Sequence, residues 1–232
     1  MDPRDLPSRT ENPAWDIIRM LPGDDLAMFD DAWHPTSFGH LRSAILGKRS
    51  FNDTLPHRFE LTTRYTWVVP APHTLDFIAE HSGGRLVDCY AGTGYMAWQL
   101  DQLGVDVIAL EPYPPSSREN FYHSRSGRGE IYDMAIGPEY FPLTKGGTEL
   151  LPRYADRTML LSWPSYGDDS GFRAVLAYTG PRIIYIGEHD GGCCGDELLF
   201  KQLEMDWEQV AFHTPVQWWG LHDYVWVYER RN

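Results

Sequence analysis

Residues 86–97, Leu-Val-Asp-Cys-Tyr-Ala-Gly-Thr-Gly-Tyr-Met-Ala, constrain this chain more than any other stretch. A short apolar run leads into Gly92-Thr93-Gly94, and a helical pattern leaves it. Glycines at such a corner let the backbone turn tightly and come close to a ligand. The helix that follows offers unpaired N–H groups to a polar ligand. Glu111 stands about 20 residues further on, at the end of the next apolar run, and Gly92-x-Gly94-x-x-Ala97 with such an acid has the spacing of a dinucleotide-binding βαβ unit. A nicotinamide-dependent oxidoreductase is therefore one reading. Asp88 argues for a different ligand. It gives Asp88-x-x-x-Gly92-x-Gly94, and an acid ahead of the turn suits a cationic ligand such as a sulfonium amino acid and repels a pyrophosphate.

The same alternation continues along the chain. HTLDFIAEHS reads as a helix ended by Gly83-Gly84, RLVDCY as a strand, GYMAWQLDQL as a helix ended by Gly104, and VDVIALE as a strand. TMLLSW, GFRAVLAYTG, RIIYIGE and GDELLFKQLEM repeat the order strand, helix, strand, helix. The aromatic-rich runs WEQVAFHTPV and DYVWVYER read as a strand pair. Such alternation predicts an α/β domain, a parallel sheet with helices on both faces. EIYDMAIG is expected to contain the third strand. The first sixty residues read differently. They hold three short helical segments: AWDIIRML behind Asn12-Pro13, DDLAMFDDAW before Pro35, and SFGHLRSAIL before Gly47. The expected division is an N-terminal helical extension or lid over 1–60 and the α/β domain over 61–232.

Charge and cysteine usage narrow the partners. Twenty Lys and Arg against 33 Asp and Glu leave a net charge of −13, which opposes binding to phosphate backbones. The acids Asp24, Asp25, Asp30 and Asp31 follow no metal-loop spacing. Cys89, Cys193 and Cys194 supply no CxxC pair, so neither a structural zinc site nor a disulfide framework is expected, which fits a cytoplasmic protein. No apolar run approaches a membrane span, and the N-terminus lacks the apolar core of a secretory signal. A small-molecule ligand is expected, with no nucleic acid, no membrane and no metal.

VDCYAGTGY followed by VIALE resembles the class I S-adenosylmethionine-dependent methyltransferases. The resemblance extends to a less characterised branch through four further segments in order: Tyr65 to Pro70, Asn120 to His123, Trp163-Pro164-Ser165-Tyr166, and Tyr185 to Glu188 with Gly191-Gly192 behind it. It covers about residues 60–210, departing at Ser165, where the branch has a second proline, and at Glu111, where it often has aspartate. It implies a Rossmann-like sheet with a reversed terminal strand and S-adenosylmethionine as cofactor. Glu111 would then take the ribose hydroxyls. Asp88, Tyr90, Ala91, Gly92, Gly94 and Tyr95 would lie along the methionine portion. Pro112, Ile136, Ser162 and Trp163 would complete the cofactor site. Trp163 to Tyr166 resembles the Asn-Pro-Pro-Tyr loop of amino-methylating enzymes. Tyr65, Trp67, Tyr122, Trp163 and Tyr166 are the implied acceptor wall, and His123, Tyr166 and Glu188 the candidate catalytic groups, with His123 as base. The expected activity is methyl transfer to a small aromatic or nitrogen-containing acceptor, to nitrogen rather than oxygen. The alternatives are the oxidoreductase, a nucleic-acid amino-methyltransferase and a non-catalytic binding protein.

Overall fold

The structure is a computed structural model that describes residues 8–21, 26–27, 51–123, 137–218 and 220–231 (only the backbone at 26–27 and 51–57). The four strands β2 (Arg85–Cys89), β3 (Asp106–Glu111), β5 (Thr158–Ser162) and β6 (Arg182–Gly187) are almost continuously buried. Their largely apolar runs, interrupted in β2 by Asp88, are what parallel strands covered on both faces require. Side chains alternate across the sheet. Val87, Met159, Leu161 and Ile183 face α5 (Ser170–Ala177) and α6 (Glu197–Asp206). Leu86, Leu160, Ile184 and Ile186 pack instead with Leu75 and Ile78 of α3 (Pro72–His81) and Met96 and Leu100 of α4 (Tyr95–Gln102).

With β4 (Leu143–Lys145), β7 (Trp207–His213) and β9 (Tyr224–Arg230), these strands form a seven-stranded sheet of order β4-β3-β2-β5-β6-β9-β7. Pairing is parallel from β4 to β6. The last strand of the chain, β9 (Tyr224–Arg230), is antiparallel to β6 and to β7 (Trp207–His213). This is a Rossmann-like α/β fold whose final strand is reversed, as expected. In the usual dinucleotide-binding order the sixth strand lies directly beside the fifth; here β9 separates β6 from β7.

Two strands fall elsewhere than the sequence reading put them. The strand beside β3 is β4, Leu143–Lys145. The expected strand at 130–137 lies, apart from Gly137, outside the described residues. Leu26–Ala27, inside a segment read as helical, forms strand β1 and pairs with β8 (Gln217–Trp218). Pairing with a distant strand overrides the local pattern there. The rest of that segment, and the one before Gly47, lie outside the described residues apart from the backbone of 26–27.

The N-terminal helix α1 (Pro13–Ile18) is short and capped by Asn12, whose side chain accepts the Trp15 N–H. Asn12 also donates to the Pro70 carbonyl at 2.7 Å. Trp15 is fully buried with Val69, Tyr95 and Trp218. Helix α2 (Phe51–Arg64) runs across residue 60 into the α/β domain.

Candidate active site

A cleft of about 470 Å³ opens at the carboxyl ends of β2, β3 and β5, lined there by Tyr90, Glu111 and Ser162. Strand order reverses between β2 and β5, and crevices at such a switch point are where open α/β sheets bind ligands. Gly92, Pro112 and Trp163 join the lining from the implied cofactor set. Trp67, Tyr122, His123 and Tyr166 join from the acceptor and catalytic sets. A smaller cavity of about 30 Å³, which shares Tyr90, Gly92 and His123, is bordered by Tyr65, Asp88 and Ala91.

The glycine corner is built around His123. Gly92 has φ 59°, and a side chain on it would begin 2.8 Å from His123 Nε2. Only glycine combines that backbone with that approach. His123 is 6% exposed. Its Nδ1 lies 3.0 Å from the Thr63 carbonyl oxygen, which can only accept. Nδ1 therefore carries hydrogen, and in the neutral form of the ring Nε2, above Gly92, is the acceptor. The His123 backbone N–H donates to Asn120 Oδ1 at 2.8 Å.

Glu111 is held by the same corner. The Gly92 N–H donates to Oε2 at 2.8 Å and the Tyr113 N–H to Oε1 at 3.0 Å. Burial pushes its carboxyl up to about 7 against the pull of those two bonds. Asp88 is buried nearby and pushed up to about 8, by burial first and by the Glu111 charge second. No hydrogen-bond donor reaches Asp88 among the described residues. Each Glu111 oxygen keeps a second lone pair, so a pair of adjacent hydroxyls would satisfy it. A phosphate beside them would oppose their ionisation further, whereas a cationic group would favour it.

Trp163 turns the chain after β5 with φ 49°. Its backbone N–H donates to the Ile186 carbonyl at 2.8 Å, and its indole Nε1–H to Asp223 Oδ1 at 3.1 Å. Its ring stacks on Trp67 at 5.3 Å with 21° between planes. Tyr122 meets Trp67 edge-on at 5.6 Å. Tyr166, 70% exposed, stands at the rim.

Four candidates stand apart. Tyr95 is fully buried away from both cavities; its hydroxyl donates to Asn12 Oδ1 at 2.8 Å and accepts from the Ala14 N–H at 3.0 Å. It anchors α1 rather than touching the cleft. Gly94 faces Phe141 and Leu143. Glu188 is buried outside the lining and accepts the backbone N–H groups of Cys193 (2.6 Å) and His222 (2.9 Å). It fixes the loop that carries Cys193 to the cleft. Ile136 lies outside the described residues. Sequence reasoning missed Arg58 and Asp223, neither of which sits in a motif. Arg58 lines the cleft, with its guanidinium carbon 5.7 Å from the Trp67 ring and 5.5 Å from that of Trp163.

Among the described residues no group of three His, Cys, Asp or Glu is placed to hold a metal ion. No described helix is long and apolar enough to cross a membrane.

No protein-family model matches the chain, and no curated protein sequence matches it. Among solved structures, it is similar to 1,6-didemethyltoxoflavin-N1-methyltransferase from Burkholderia thailandensis, with bound 1,6-didemethyltoxoflavin and S-adenosylhomocysteine. The match has 18% identity, covers 89% of this chain and 95% of that one, and has a TM-score of 0.45. An rRNA methylase from Streptococcus thermophilus matches at 15% identity over 70% of this chain and 97% of its own, with a TM-score of 0.38. TehB from Haemophilus influenzae matches at 11% identity over 68% and 62%, with a TM-score of 0.39.

Proposed function

We propose that this chain is a cytoplasmic S-adenosylmethionine-dependent methyltransferase for a small planar acceptor, with nitrogen favoured over oxygen as the methylated atom. One observation carries the reading: the buried Glu111 carboxylate, clamped by the Gly92 and Tyr113 N–H groups, faces the cleft with two oxygens ready for two hydroxyls. The bound cofactor supplies a methyl group activated on a sulfonium. Glu111 would hold its ribose, and Asp88 would face its cationic amino-acid end, directly or through water. Tyr90, Gly92, Ser162 and Trp163 would flank it.

The acceptor side follows from the remaining lining. Trp67, Trp163 and Tyr122 offer ring faces and edges that stack a planar molecule and exclude water. Holding acceptor and donor in line supplies much of the acceleration of a direct displacement. His123 Nε2 takes the proton that an amine or hydroxyl acceptor must release. The net charge of −13 disfavours a nucleic-acid acceptor. The reversed strand between β6 and β7 and the Asp88–Glu111 pair both speak against a dinucleotide pyrophosphate.

Calorimetry with S-adenosylhomocysteine and NAD⁺ side by side tests the reading. We expect micromolar S-adenosylhomocysteine binding, about −8 kcal/mol. Binding of NAD⁺ without S-adenosylhomocysteine overturns it.

A further inference from the structure

We propose that the acceptor is a planar aromatic or heteroaromatic acid whose anionic group is received by Arg58. This deepens the methyltransferase reading and rests on it for the word acceptor. Arg58 is only 8% exposed, yet it lines the cleft. Its Nε is fully enclosed without a hydrogen-bond partner. Among the described residues Arg58 makes no hydrogen bond and no ion pair. Its contacts are with the rings of Phe59, Trp67 and Trp163, at 5.9, 5.7 and 5.5 Å from its guanidinium carbon.

A guanidinium has five N–H donors and no acceptor. Burying it among ring faces leaves the Nε–H without a partner, and the Nη N–H groups are the donors left to a ligand in the cleft; such a deficit is costly unless it is made good. Burial also lowers its proton affinity, opposed by Asp223, Cys193 and Glu188. The guanidinium stays charged in any case, and none of these groups pairs with it directly. Asp223 Oδ1 takes the Trp163 indole N–H, and Glu188 takes backbone N–H groups. The fork geometry of arginine matches a carboxylate with two parallel bonds. The two indoles beside it stack on each other, 21° from parallel, and a flat ring attached to that carboxylate would lie against their edges and outer faces.

The distribution of charge around the cleft agrees. Arg58 is the one lysine or arginine among its described lining residues, while Glu111, Glu119 and Asp168 are the acids. An anionic ligand group therefore has one place to go. A ligand lacking it leaves Arg58 as it stands, unpaired.

The test titrates the full chain, with and without saturating S-adenosylhomocysteine, against benzoate, indole-carboxylates and quinoline-carboxylates. Their amides and the matching aromatic amines run beside them. We expect at least one acid to bind about tenfold or more tightly than its amide, a difference of ~1.4 kcal/mol. Arg58→Gln should abolish that preference and leave S-adenosylhomocysteine affinity unchanged, and Arg58→Lys should restore part of it. Amides or amines binding as well as the acids, a preference that survives Arg58→Gln, or binding by none of the panel each overturns the inference. If Arg58→Gln does not fold, the wild-type acid-to-amide ratio still decides. Acid selectivity without S-adenosylhomocysteine binding leaves Arg58 as an anion site and refutes the methyltransferase reading. S-adenosylhomocysteine binding without acid selectivity refutes the Arg58 inference alone.

Discussion

Tyr90 and Trp163 follow the two neighbouring strands at the switch in sheet order, and both hold a left-handed backbone, φ 64° and 49°. Among the described residues they are the only non-glycines with positive φ. Bulky residues in that region cost on the order of 1–3 kcal/mol each and persist where the surroundings over-determine them. Trp163 is held by the Ile186 carbonyl, by Asp223 and by its stack on Trp67. Both side chains are thereby turned into the cleft. The strain is local to the place where a ligand would sit.

Asp223 is the fixture that aims Trp163. Asp223→Ala should lower the unfolding free energy by about 1–3 kcal/mol, the cost of leaving a buried N–H without its partner. It should also weaken an aromatic acceptor more than it weakens S-adenosylhomocysteine, because Trp163 borders both. A urea midpoint and a calorimetric titration measure the two effects. An unchanged midpoint would show that Trp163 holds its position without Asp223.

Glu111→Ala should weaken S-adenosylhomocysteine binding by about 1.5–3 kcal/mol, the range for hydrogen bonds to a charged group. Calorimetry reads the change directly. Equal affinity in wild type and variant would remove Glu111 from the cofactor site.

Gly92→Ala should reduce S-adenosylhomocysteine affinity about tenfold or more. The new methyl would meet His123 Nε2 at 2.8 Å on a backbone of φ 59°. The double variant Gly92→Ala with His123→Ala should recover part of that loss, because the collision is gone and the backbone penalty remains. Full recovery would mean that φ is unimportant; no recovery would mean that the collision is. Once an acceptor is known, His123→Ala alone should lower turnover by ~10²–10⁴-fold.

Stability should fall as pH rises. Asp88 is pushed up to about 8, and Glu111 and Asp223 to about 7, chiefly by burial. All three ordinarily titrate near 4. Between those limits the folded protein keeps protons that the unfolded chain has released. The unfolded state then binds fewer protons, so each unit of pH costs folding free energy. Differential scanning calorimetry of the ligand-free protein should give a lower Tm at about pH 8 than at about pH 5, a fall of several degrees at ~2–4 °C per kcal/mol. Asp88→Asn should flatten that fall. A Tm that rises toward pH 8 would contradict the burial of these acids in protonated form.

Trp15→Ala should destabilise the protein by about 3–5 kcal/mol, as expected for emptying a fully buried aromatic site. Trp15 belongs to the cluster of Val69, Tyr95 and Trp218. Denaturant unfolding measures it. A loss under 1 kcal/mol would mean that α1 is an appendage the domain does without.

Much of the sheet and half of the site were legible in the order of residues. β2, β3, β5 and β6 are largely apolar, with Asp88 the interruption in β2, because a strand buried on both faces has no side turned to water. The glycine corner and Glu111 followed from spacing, since one turn and one helix fix how far the chain travels before the next strand ends. β4 was not legible: its three residues are exposed or half-buried and are recruited by β3. Arg58 was not legible either. Its burial is made by Trp67 and by Trp163, a hundred positions away, and no local pattern encodes such a contact. Tyr95 and Glu188 illustrate the same limit from the other side. The resemblance brought both near the site, but the docking of α1 on Tyr95 and the Cys193 and His222 loops on Glu188 turned them to support. Periodicity and spacing are properties of neighbours along the chain, and they determined the strands, the turn and the acid. Which side chains face one another across the cleft depends on distant segments packing together, and only the tertiary structure decided that.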